Sequence, residues 1–113
     1  MSHEPERAPV ACTLSQGDLN RRAARWHALA EASLEQISRT DLGQQLTFRA
    51  DPGVAAELEE LSALERDCCA FAAWSAGPAA GKLVLDISAT SQEGVQAVQA
   101  MFRDLPHAEA SRA

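Results

Sequence analysis

Two adjacent cysteines, Cys68 and Cys69, and a third, Cys12, are the residues of this chain with the most distinctive chemistry. Vicinal thiols can close a disulfide only through a strained ring, so a Cys68–Cys69 redox couple is disfavoured, whereas a disulfide from Cys12 to either one is sterically open. Zinc sites use C-x-x-C or Cys/His sets at ligand spacing, and neither is present. A soft cation suits the set better, because coordination drives off the thiol proton and two or three sulfurs are on offer. Hg(II), Cu(I), Cd(II) and As(III) are the candidate ions, and Cys12, Cys68 and Cys69 the candidate ligands. Glu65, one turn before Cys69, is placed to take a released proton or to orient a thiol.

The element that must position the pair is a patterned helix. From Val54, the residues Leu58, Leu61, Leu64, Cys68 and Phe71 recur at steps of three and four, the spacing of one helix face. Successive residues rotate by roughly 100°, which puts Cys68 in the apolar stripe, Cys69 at its edge, Glu65 close to the apolar face, and Arg66 and Asp67 toward water. The pair thus falls at the C-terminal end of the helix. The negative pole of the helix dipole and partial burial both raise a thiol pKa there, which counts against a free nucleophile. Buried cysteines also serve as small apolar residues, so a purely structural role for the pair is a further reading.

The segment Glu65 to Phe71, ERDCCAF, with Cys12-Thr13-Leu14 upstream and a hairpin downstream, resembles a family of small bacterial proteins built around an E-R-x-C-C-x-F motif. The resemblance spans about Cys12 to Phe102. Cys12, Glu65, Arg66, Cys68, Cys69 and Phe71 match the motif by position. Relatives commonly carry proline directly after the pair, where this chain has Ala70, a departure that removes no ligand. Members of that family often accompany mercury-responsive regulators, so the resemblance implies a role in mercury handling.

Composition narrows the alternatives. With 113 residues the chain is long enough for one domain with its own core. Sixteen acidic residues outnumber ten basic ones for a net charge of −6, which argues against nucleic acid as a partner. Arg21, Arg22 and Arg25 read as a solvated helix face. No apolar run reaches membrane-spanning length, and MSHEPERAPV lacks the apolar core of a secretory signal, so a cytoplasmic protein with reduced thiols is expected. An odd number of cysteines also fits a disulfide framework poorly.

The other elements follow from periodicity. Residues 1–11 read as a flexible tail, with Ser15 and Asp18 opening a helix that the pattern Leu19, Ala23, Trp26, Ala30, Leu34, Ile37 carries to about Arg39. Trp26 is expected in the core and His27 at the boundary. After Asp41-Leu42-Gly43, Leu46, Phe48 and Ala50 alternate as a strand. Asp51-Pro52 is expected to open the cysteine helix as cap and first turn. FAAWSAG and KLVLDIS form a hairpin, with Leu83, Leu85 and Ile87 facing inward. A last helix, capped at Thr90 with Glu93, buries Val95, Val98, Met101, Phe102 and Leu105 and is stopped by Pro106, leaving residues 106–113 as a second tail. The expected fold is a single α+β domain over residues 12–105, a three-stranded, largely antiparallel sheet with three helices on one face. The functional expectation is a soft-metal thiolate protein that sequesters or transfers an ion of the Hg(II) kind, with a protein partner to receive it. The alternative is a thiol-dependent enzyme or redox protein using Cys12, Cys69 and Glu65.

Overall fold

The computed structural model describes residues 16–68 and 70–107. The chain runs α1 (Gln16–Ser33), β1 (Leu34–Thr40), β2 (Gly43–Arg49), α2 (Val54–Cys68), β3 (Ala72–Ala79), β4 (Lys82–Ala89), α3 (Gln92–Met101). The strands form one antiparallel sheet in the order β1-β2-β4-β3. Two helix-plus-hairpin units, α1-β1-β2 and α2-β3-β4, therefore meet where β2 lies beside β4. The α+β class stands, but the sheet has four strands and not three.

The additional strand is β1, the stretch that the apolar spacing assigns to the end of the first helix. Leu34 and Ile37 are three apart, a helical interval, and an uninterrupted strand would place them on opposite faces. A register shift between Leu34 and Gln36 inserts the extra residue of a β-bulge. Leu34 then pairs with Phe48 and Ile37 with Leu46, both on the inner face. Asp41 and Leu42 are the hairpin turn.

Buried sheet side chains all lie on one side: Leu34, Gln44, Leu46, Phe48, Trp74, Leu85, Ile87 and Ala89. The helices close this side with Trp26, Leu29, Ala30, Leu58, Leu61 and Val98. The opposite face carries Gln45, Thr47, Ser75, Asp86 and Ser88, and Gln45 there donates to Asp86 at 2.9 Å. Such one-sided burial is what the alternating patterns of an antiparallel sheet produce. Both exposed edges carry features that discourage further pairing: the bulge in β1 and Pro78 in β3. Among the described residues no helix is long and apolar enough to cross a membrane.

The caps differ in detail from the sequence expectation. Asp51, Pro52 and Gly53 form a turn ahead of α2, in which the Asp51 carbonyl accepts from the Val54 amide at 3.1 Å while its carboxylate pairs with Arg49. The third helix is capped by Ser91, whose hydroxyl accepts from the Gly94 amide at 2.9 Å, one residue later than Thr90. It ends at Met101, before Pro106 is reached.

Two backbone positions give stability predictions. A Cβ at Gly43 would lie 1.9 Å from the Ile87 carbonyl oxygen and 2.9 Å from Val98 Cγ1, so Gly43→Ala is expected to cost about 3 kcal/mol or more in urea unfolding. The β3–β4 turn has positive φ at both Ala80 (53°) and Gly81 (80°), the pattern of a type I′ turn, in which asparagine is favoured over alanine at the first position. Ala80→Asn should therefore raise stability by about 0.5–1 kcal/mol.

Candidate thiol site at the end of α2

Cys68 is the last residue of α2, as the helix pattern requires. Cys12 and Cys69 lie outside the described residues, and so does the expected Ser15 cap. Of the motif's defining residues, Glu65, Arg66 and Phe71 are described besides Cys68, and each fastens the cysteine-bearing end of the helix to a different element.

Glu65 fastens it to α1. The carboxylate is buried, with its side chain 8% exposed, and accepts a hydrogen bond from Trp26 Nε1 at 2.8 Å and an ion pair from Arg22 Nη1 at 3.2 Å. Arg22 is itself only 14% exposed. Arg66 fastens the helix to β3: it stands at an exposed helical position, yet its Nη1 donates to the Trp74 carbonyl at 3.2 Å. Phe71 fastens the following turn to α3: its Cδ2 lies 3.5 Å from where a Cβ on Gly94 would stand, so the ring packs against the start of that helix. Trp26, Trp74 and Phe102 complete the support as a triangle of rings, with centroids 4.8 to 6.4 Å apart, one each from α1, β3 and the end of α3. These separations are in the range where aromatic pairs attract.

A second clamp lies further along the α1–α2 seam. Arg25 donates from Nε and Nη2 to the two carboxylate oxygens of Glu57, at 3.1 and 2.9 Å, and Nη2 is 3.4 Å from Glu60. The hydrogen bonds with Glu57 hold the Arg25 pKa above its ordinary value. Arg22 and Arg25 are thus not the solvated face that composition suggested. The complementary signal was present in the sequence, as two arginines three apart on one helix and three glutamates, Glu57, Glu60 and Glu65, on the other. What could not be read was which helices would pair.

The order of these contacts fixes the direction of the seam. Going forward along α1 from Arg22 to Arg25, the partners move backward along α2 from Glu65 to Glu60 and Glu57. The helices are antiparallel, and the start of α1, with Asp18 and Arg21, is therefore level with the end of α2. The positive N-terminal pole of α1 at this end opposes the negative pole of the α2 dipole, which was the main electrostatic objection to a thiolate there.

Among the described residues no group of three or more His, Cys, Asp or Glu side chains is arranged to hold a metal ion, and the side chains of Cys12, Cys68 and Cys69 all lie outside that set. Trp26 is core, as expected, whereas His27, expected at the boundary, is exposed. Comparison with family models, curated proteins and solved structures returns no match for this chain.

The two clamps differ in energetic weight. Arg25 and Glu57 are each 36% exposed, and such pairs contribute at most about 1 kcal/mol. Removing one partner of a buried pair costs about 3–5 kcal/mol, because the other is left uncompensated. Glu65→Ala should therefore destabilise by about 3–5 kcal/mol and Glu57→Ala by under about 1 kcal/mol. Tryptophan emission during urea unfolding would report both, since both tryptophans stand in the ring triangle.

Proposed function

We propose that this chain is a soft-metal thiolate protein, taking up an ion of the Hg(II) class on Cys68 and Cys69, with Cys12 as a third sulfur, and holding it for sequestration or transfer to a protein partner. The observation that carries this reading is the anchoring of the α2 end through Glu65, Arg66 and Phe71. A paired thiolate site gains affinity when its ligands need not be ordered on binding, and each of these residues reduces the freedom of the segment that carries the pair. Glu65 acts as a positioning residue: its carboxylate already accepts from Trp26 and Arg22, which suits it to fixing the helix end better than to removing a proton.

Sulfur donors without a nitrogen or carboxylate partner favour a softer ion over Zn(II). Native mass spectrometry of the reduced protein with competing ions should therefore show one Hg(II) or Cu(I) retained and Zn(II) displaced, and preference for Zn(II) would refute the proposal. Cys69→Ser should remove most of the affinity with little change in stability, since helical spacing expects it at the edge of the apolar stripe. Cys12→Ser should lower the sulfur coordination seen by X-ray absorption from three to two; unchanged coordination would confine the site to the pair.

A further inference from the structure

Asp18, Arg21, Arg22 and Arg25 share one face of α1, spaced i, i+3, i+4, i+7, and line a cavity of about 390 Å³. That volume fits a small molecule. The antiparallel seam sets this part of α1 beside the last turns of α2: Arg22 contacts Glu65 at 3.2 Å, and Cys68 is three residues further on, about 4.5 Å along the axis.

The lining has a definite chemistry. Arg22 and Arg25 have carboxylate partners on α2, and Arg21 pairs with Asp18 on its own helix. Arg21 is 75% exposed and uses Nη2 for that pair, while Arg25 uses Nε and Nη2 for Glu57 and Glu60. Arg21 Nε and Nη1 and Arg25 Nη1 therefore carry donors that no described residue takes. Guanidinium groups with open donors recognise carboxylates.

We propose that the cavity receives the carboxylate of a small anionic thiol, and that the soft ion reaches the cysteines as the thiolate complex of that molecule. The inference rests on the metal-binding reading above and names the form in which the ion is supplied. Soft ions among thiols exist as thiolate complexes, so transfer is an exchange of ligands. For Hg(II), two metal–sulfur bonds to the donor molecules break, two form to Cys68 and Cys69, and the two cysteine protons leave on the released thiols. Nothing is oxidised or reduced. The arginines hold the incoming complex at the end of the seam where α2 reaches Cys68.

The test compares Hg(II) bis-complexes of 3-mercaptopropionate, an anionic donor, and 2-mercaptoethanol, a neutral one. Transfer to the reduced full-length protein is followed by rapid quenching and mass spectrometry at low ionic strength. The net negative charge alone predicts slower uptake from the anionic donor, whereas the proposal predicts uptake at least severalfold faster from it. In Arg21→Gln this advantage should vanish while uptake from the neutral donor is unchanged, and Arg21→Lys should restore part of it. Equal or slower uptake from the anionic complex in the parent protein, or an advantage that survives Arg21→Gln, overturns the inference while leaving metal binding intact. Failure of both complexes to load the protein removes the metal-binding reading, and this inference with it.

Discussion

The buried contact of Glu65 with Trp26 and Arg22 is the constraint on which the rest of this structure depends. A carboxylate inside the protein is costly unless its acceptor sites are filled. Filling them here requires α1 to lie against α2 in one direction and at one height. The indole that donates to Glu65 belongs also to the ring triangle, so the same side chain that satisfies the charge is packed against β3 and the end of α3. An apolar residue at position 65 would allow the helices to slide by a turn at small cost. The charged one does not, because sliding would strand the carboxylate and the guanidinium away from water.

Much of the fold was legible because burial is one-sided. Period-two alternation in β2 and β4, and steps of three and four in α2, identify the faces that meet in the core. The failure at Leu34–Thr40 has a physical cause: a β-bulge adds one residue to a strand, so two inward side chains become three apart, which is also a helical interval. Ile37, Thr40 and the Asp41-Leu42-Gly43 turn were the available counter-signals, being strand-favouring residues running into a hairpin. Periodicity weighed against them because α1 and β1 follow one another without a break, so the helical stripe continues directly into the bulge.

The site was legible in its residue types and less so in its supports. Glu65 was placed near the apolar face by rotation alone, and its burial follows. Arg22 was read as solvated because charge and composition are one-dimensional quantities, while its function depends on a partner 43 positions away in the chain. Arg66 shows the complementary limit: its helical position faces outward, yet the side chain is long enough to return to the Trp74 carbonyl. Such contacts depend on side-chain reach and on tertiary pairing, neither of which a helical wheel represents.

The electrostatics of the α2 end follow from this pairing and change the balance of the chemical argument. Taken alone, a helix C-terminus disfavours a thiolate, through carbonyl dipoles equivalent to roughly half a negative charge within the last turn. An antiparallel neighbour opposes that field by setting the positive N-terminal pole of α1 beside it. In a parallel arrangement the end of α2 would have faced the end of α1, where Glu31 is the charged residue and two negative poles would add. The Glu65–Arg22 pair, by selecting the antiparallel arrangement, therefore sets the electrostatic surroundings of the cysteine-bearing segment as well as its position. That dual effect explains why a carboxylate in the apolar seam can favour thiolate chemistry nearby: the charge it adds is matched by Arg22, and the helix it recruits turns its positive N-terminal pole toward the same end.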